Sequence, residues 1–143
     1  METVYTAKAI SKGGRSGHVR TSDGIIDMEL RAPAEMGGEK GFANPEDLFA
    51  AGYSACFNSA AELAARRMRL DGAADIEIEV EVGIGQDTER GGFGLSARIT
   101  GVFPESISDD DAHKIMDAAH ELCPYSRAVR GNIDVALDVR RKH

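Results

Sequence analysis

The succession of apolar, polar and turn-forming residues predicts an α+β fold in the order β-β-β-α-β-β-α-β. Three observations carry it. Ile76-Glu77-Ile78-Glu79-Val80-Glu81-Val82 alternates strictly, as a strand with one wet face does. Asn44-Pro45-Glu46-Asp47 opens a long apolar run with the chemistry of a helix start. Ser22-Asp23-Gly24 is a turn signal between two extended segments, so hairpins and an antiparallel sheet are expected.

The elements follow in order. Val4 to Ile10 alternates well enough for a strand, and Lys12 to Gly17 reads as a flexible loop. His18 to Arg20 is extended, and Ile25 to Leu30 pairs back on it. A glycine-rich loop spans Pro33 to Phe42. The long central helix is expected from its cap at Asn44 to about Leu70, with Gly72 as the stop. Gln86 to Gly92 is a turn region, and Phe93 to Phe103 is a strand ended by Pro104. Ser108, followed by Asp109, Asp110 and Asp111, caps a second helix. That helix carries Ile115, Met116, Ala119 and Leu122 at helical spacing and is expected to end near Cys123-Pro124. Val135 to Val139 alternates as a last strand. No repeat or linker interrupts residues 1–143, so one domain is expected. The first half of the central helix is apolar almost all round, which one sheet cannot cover. A symmetric dimer that buries the remaining face is the simplest remedy.

Composition narrows the partners. A net charge of −7 argues against nucleic acid or an anionic membrane. The basic clusters are short: Arg66-Arg67-Met68-Arg69 at a helix end and Arg140-Arg141-Lys142-His143 at the chain end. No apolar stretch reaches the length of a membrane span, and Met1 to Tyr5 lacks the pattern of a signal peptide. A cytoplasmic protein is expected. In that compartment disulfides are generally transient, hence catalytic or redox-sensing.

The only cysteines are Cys56, in the apolar part of the central helix, and Cys123, followed at once by Pro124. They are not a C-x-x-C pair. A free thiol has a pKa near 8.5, so only roughly 3% is thiolate at pH 7. Cys56 lies too far along its helix for the dipole to help, and burial opposes ionisation. To react, it needs a cation from elsewhere in the chain. Cys123, read as a helix C-terminus beside Glu121, is held toward the thiol and suits condensation with an oxidised partner. A buried free cysteine is equally compatible with inert packing. Arg15, in the loop Gly13-Gly14-Arg15-Ser16-Gly17, is the candidate cation, and Glu46 on the first turn of the Cys56 helix is the carboxylate to offset its desolvation. His120 and Cys123, with His113 further back, have a spacing that can hold a cation. They supply two or three ligands where structural zinc takes four, so no metal is expected.

These residues resemble the Ohr/OsmC family, in its organic hydroperoxide resistance branch. The resemblance rests on Gly13-Gly14-Arg15-Ser16-Gly17-His18-Val19-Arg20, on Asn44 through Phe57, on Gly83-Ile84-Gly85-Gln86, on Gly91-Gly92-Phe93-Gly94-Leu95, on Cys123-Pro124-Tyr125-Ser126 and on Arg130-Gly131-Asn132-Ile133. Asp47, where the family commonly has a neutral amide, departs from it, and the basic tail after Val139 lies outside it. The resemblance implies an intertwined homodimer with sites at the subunit interface. It implies a thiol peroxidase acting on alkyl and fatty-acid hydroperoxides in oxidative stress. By position, Cys56 resembles the peroxidatic cysteine, Cys123 the resolving cysteine, Arg15 the activating arginine and Glu46 the carboxylate that orients it. No bound cofactor is implied; the reducing co-substrate is a dihydrolipoyl group on a lipoylated protein. The alternatives are an OsmC-branch peroxidase with another substrate range, or a non-enzymatic thiol redox sensor.

Overall fold

The structure is a computed structural model and describes residues 1–142. The contacts group into two compact units, Met1–Leu48 and Phe49–His143. Each is described in turn.

The first unit holds a three-stranded antiparallel sheet of β1 (Ala9–Lys12), β2 (His18–Thr21) and β3 (Asp27–Glu29), in that order. Both outer strands are shorter than expected. Val4 and Tyr5 precede β1 and are largely exposed, so their alternation faces no core. Ile25 and Ile26 are drawn into the turn before β3. Asp23 Oδ1 accepts from the Thr21 hydroxyl at 2.6 Å and from Ile25 N–H at 3.0 Å, and Ile26 N–H donates to Thr21 Oγ1. This is the Asx-type bonding that competes with a ladder.

Helix α1 (Pro45–Arg67) starts where the sequence places it. Asn44 Oδ1 accepts from Asp47 N–H at 2.8 Å, and Asp47 Oδ2 accepts from Asn44 N–H at 3.3 Å. The carboxylate that departs from the family pattern therefore closes a reciprocal capping box. The helix ends before Gly72. Arg69 adopts φ 58°, Arg69 N–H donates to Arg66 O, and Leu70 N–H donates to Ala65 O. That is a Schellman closure built on a non-glycine residue.

The second unit contains a mixed sheet of β4 (Glu77–Gln86), β5 (Phe93–Phe103) and β6 (Val135–Arg141). β4 and β5 form a hairpin in antiparallel register from Glu77↔Val102 to Gln86↔Phe93. β5 and β6 run parallel, from Ala97↔Val135 to Phe103↔Arg141. The expectation of one antiparallel sheet is corrected on both points: there are two sheets, and one pairing is parallel. The chain between β5 and β6 is a helical crossover, the connection a parallel pair requires. That crossover has two helices, α2 (Asp109–Leu122) and α3 (Pro124–Val129), rather than one. Ser108 caps α2 as expected, accepting from Asp111 N–H at 3.1 Å.

The core of this unit is one cluster. Tyr53, Phe57, Ala60, Ala61, Ala64 and Ala65 line one stripe of α1, and they meet Ile99 and Phe103 of β5 and Ala112, Ile115, Met116 and Ala119 of α2. Phe57 and Phe103 are fully buried within this cluster. Ala51, Ala55 and Leu63 lie off this stripe and are exposed, so part of the apolar helix is left uncovered.

Candidate active site

Two pairs of predicted residues come together, each within its own unit. In the first, Arg15 occupies a single turn of 3₁₀ helix, Gly14–Ser16. Gly13 takes φ 84°, which favours glycine. A Cβ on Gly17 would run into the Lys12 carbonyl, so the loop closes only around glycine there. This tight turn presents the Arg15 guanidinium to Glu46. Nη1 donates to Oε2 and Nη2 to Oε1, both at 2.7 Å, a two-pronged charge-assisted contact. The Glu46 side chain is 12% exposed and that of Arg15 41%. The Arg15 hydrogen bonds, ahead of the opposing effect of burial, hold the Glu46 carboxyl below its ordinary range. The same bonds push the Arg15 guanidinium further up.

In the second unit, Cys56 of α1 and Cys123 are free thiols with their Sγ atoms 3.5 Å apart. Cys123 is fully buried and Cys56 half-buried. Folding thus closes a gap of 67 residues to sulfur contact. A disulfide needs about 2.05 Å, so a shift of roughly 1.5 Å separates this arrangement from a bond. Burial is the largest influence on the Cys56 thiol and raises its pKa. A hydrogen bond from the Tyr125 backbone N–H lowers it, and the neighbouring Cys123 raises it again.

That N–H is a group the sequence reading missed. The sequence predicts a helix end near Cys123-Pro124, yet Pro124 stands at the first position of α3, where proline is favoured. Tyr125 N–H is one of the first-turn donors with no partner inside the helix, and its influence lowers the Cys56 thiol pKa. The placing of Cys123 changes with it. Cys123 is the C-cap of α2 and also the N-cap of α3. Cys123 is thus not simply the helix C-terminus that the sequence predicts, since a second helix begins at the same residue.

Around the thiols lie aromatic rings and a short polar chain. Phe49, Tyr53 and Tyr125 pack with centroid separations of 6.1, 6.3 and 5.8 Å. Gly52 makes room for Tyr125: a Cβ there would stand 2.8 Å from the Tyr125 hydroxyl oxygen. Behind them the fully buried Tyr53 hydroxyl and Ser126 Oγ are hydrogen-bonded at 2.7 Å, and Ser126 Oγ and His120 Nδ1 at 2.9 Å. His120 is thereby engaged with Ser126, and His113 Nδ1 with the Asp109 carbonyl at 2.8 Å. No group of three or more potential metal-ligating side chains occurs among the described residues. Nor is any helix among them long and apolar enough to cross a membrane.

Fold and site together define a mixed α+β protein with two thiols in contact between a central helix and a helical bend. Comparison with known proteins gives the family. The family model described as OsmC-like protein matches residues 37–138. The organic hydroperoxide resistance protein OhrB of Bacillus subtilis is 41% identical over 138 residues, covering 96% of this chain and 98% of that one. The organic hydroperoxide resistance protein of Xanthomonas axonopodis pv. citri is 42% identical over 137 residues, 95% of this chain and 94% of that one. Among solved structures, an organic hydroperoxide resistance protein from Elizabethkingia anophelis superimposes with a TM-score of 0.91 at 42% identity, covering 99% of this chain and all of that one. The chain belongs to the Ohr/OsmC family, and within it to the organic hydroperoxide resistance branch.

Proposed function

We propose that the protein is a cytoplasmic thiol peroxidase that reduces organic hydroperoxides to alcohols. The observation that carries this reading is the contact between two free thiols, one half-buried and one fully buried, brought together across 67 residues. The Cys56 thiolate attacks one oxygen of the peroxide. An S–O bond forms, the O–O bond breaks, and the departing alkoxide takes up a proton to become the alcohol. Cys56 is left as a sulfenic acid. The Cys123 sulfur then attacks it. The disulfide forms, and hydroxide leaves with the Cys123 proton as water. A dithiol, proposed to be a dihydrolipoyl group on a lipoylated protein, exchanges with the disulfide and returns both thiols.

Burial and Cys123 hold the Cys56 thiol up, so it is a poor nucleophile near pH 7 without a cation. Arg15, already oriented by the fork to Glu46, is proposed for this role. Lowering the thiol pKa by about two units raises the thiolate fraction only roughly 25-fold, and each anion becomes less nucleophilic. Arg15 is therefore also assigned to the charge that develops on the departing oxygen. A homodimer is part of the reading, supported by the exposed apolar positions Ala51, Ala55 and Leu63 on α1.

The test is steady-state turnover with an organic hydroperoxide and dihydrolipoamide, on wild type and on the Cys56→Ser, Cys123→Ser and Arg15→Lys variants. Cys56→Ser is expected to be inactive, Cys123→Ser to react once and stall, and Arg15→Lys to lose more rate than its loss of thiolate explains. Equal activity of the cysteine variants and wild type defeats the proposal. Formation of the disulfide without repeated turnover favours a redox sensor instead.

A further inference from the structure

The thiols are held at contact by something other than themselves. Cys56 sits on α1, and Cys123 sits at the bend between α2 and α3. One polar chain crosses from the first element to the second. Tyr53 is three residues before Cys56, which places it one turn back on α1. Its hydroxyl is bonded to Ser126 Oγ at 2.7 Å, and Ser126 Oγ to His120 Nδ1 at 2.9 Å. Ser126 is three residues after Cys123 and His120 three before it. The chain therefore straddles the bend at Cys123, joining the last turn of α2 to the first turn of α3, and ties that bend to α1. Arg130, the C-cap of α3, closes the bend a second time by donating from Nη2 to the His120 carbonyl.

The chemistry of this chain is unlike its surroundings. Tyr53 and Ser126 are fully buried, and among the described residues Ser126 is the only one of the polar and charged types that is buried. A buried hydroxyl left without a partner is costly, whereas replacing both partners by apolar groups is close to neutral. Stability alone could be met by phenylalanine and alanine at these two positions. What an apolar pair cannot supply is direction: packed side chains slide at little cost, while a hydrogen bond weakens steeply off its axis. A directional link one turn from each cysteine fixes the separation and approach of the two sulfurs.

We infer that Tyr53, Ser126 and His120 are positioning residues for disulfide closure: they hold the Cys123 bend against α1 so that Cys123 reaches the oxidised Cys56 before a second peroxide does. The inference rests on the peroxidase reading above and extends it to the step after peroxide reduction. Once Cys56 is a sulfenic acid, two reactions compete. Attack by Cys123 gives the disulfide and water. Attack on a second peroxide molecule gives the sulfinic acid and a second molecule of alcohol. The first reaction is intramolecular and depends on geometry, and a misplacement of about 1 Å costs on the order of 100-fold in such a step. The second depends only on peroxide concentration and access to Cys56.

The experiment separates the two. Rapid mixing of Tyr53→Phe, Ser126→Ala and the double variant with cumene hydroperoxide gives the rate of disulfide formation, and mass spectrometry gives the share of sulfinic acid as peroxide is raised. The same substitutions in a Cys123→Ser background give the rate of Cys56 oxidation alone. We expect disulfide formation to slow by about 10- to 100-fold, with over-oxidation appearing at correspondingly lower peroxide. Cys56 oxidation should stay within about twofold of its background rate, since nothing that touches peroxide is removed. The double variant removes both hydroxyls together, so it keeps the test valid if Ser126→Ala alone unfolds. Disulfide formation at the wild-type rate in folded variants overturns the inference. So does an equal slowing of both steps, which would mark a general packing defect. If wild type itself forms no Cys56–Cys123 disulfide, the peroxidase reading fails first and takes this one with it.

Discussion

Replacing Glu46 by glutamine should cost activity through Arg15 while leaving both thiols in place. The fork between them is symmetric, with both donor–acceptor distances at 2.7 Å. A glutamine of the same shape keeps one acceptor but sets an amide NH₂ against the second guanidinium nitrogen, so one prong is lost and replaced by a repulsion. Ordering an arginine side chain costs about 2 kcal/mol of rotamer entropy. An unpaired Arg15 would therefore occupy any one geometry roughly one part in thirty of the time. Charge-assisted bonds contribute about 1.5–3 kcal/mol when protected. With the Arg15 side chain 41% exposed, solvent screening reduces the net worth of the fork to about 1–2 kcal/mol. Its loss should lower the held population, and with it kcat/KM for an organic hydroperoxide, by about 5- to 30-fold. Acid should do the same to wild type. The Glu46 carboxyl titrates below its ordinary value, so the fork is complete above the unfolded-state carboxyl pKa and is lost as pH falls through the lower folded value. The kcat/KM–pH profile of wild type should accordingly keep an acid limb that Glu46→Gln lacks. A Glu46→Gln protein within twofold of wild type at neutral pH would refute the role assigned to the pair.

Three further outcomes are expected. Arg69 holds φ 58° at the end of α1, so Arg69→Gly should relieve left-handed strain and raise stability by about 0.5–1 kcal/mol. Chemical denaturation with an unchanged m-value checks this, and a lower midpoint would contradict the assignment of the cap. Titration of Cys56 by the pH dependence of iodoacetamide alkylation, in a Cys123→Ser background, should give a higher apparent pKa in Arg15→Gln than with Arg15 present, because the cation opposes the burial that raises it; coincident titrations would remove Arg15 from the activation step. Pro124→Ala restores an N–H at the start of α3 and removes the break between α2 and α3, so it should slow disulfide closure by about tenfold or more through a misplaced bend. Rapid-mixing traces that overlay those of wild type would show that the bend does not depend on proline.

Much of this fold was legible because local signals and the tertiary structure agree. The alternation of Ile76 to Val82 gives β4, the Asn44 cap gives the start of α1, and Ser108 with three aspartates gives the start of α2. The differences arise where a local signal has two meanings. Pro124 can stop one helix or start the next, and only the free N–H groups beyond it show which. Val4 to Ile10 alternates, but alternation specifies a strand only where a partner and a core are present. The parallel direction of β6 depends on the path of the crossover, which no alternation in Val135 to Val139 records. At the candidate site, cysteine, arginine and glutamate announce themselves by residue type. The Tyr125 N–H and the Ser126 hydroxyl do not, since the first belongs to every residue but proline and the second is ordinary until it is buried.

The position of Cys123 joins these observations. In an unbroken helix the Tyr125 N–H would bond to the carbonyl four residues back and would be closed to other acceptors. Pro124 lacks an N–H, and the chain turns at Cys123, so the Tyr125 N–H stays outside the helical ladder and opposes the rise in the Cys56 thiol pKa. The same turn leaves Cys123 on the buried face of α2, beside Ala119, rather than on an exposed one. One break between two helices thus leaves a first-turn N–H without a helical partner and gives Cys123 a buried place. In the proposed reaction the two thiols need opposite settings, since an attacking thiol needs polar help and access to the peroxide, while a resolving thiol must be kept from peroxide until it is used. In the positioning role proposed above, the Tyr53–Ser126–His120 chain holds the bend at Cys123 against α1.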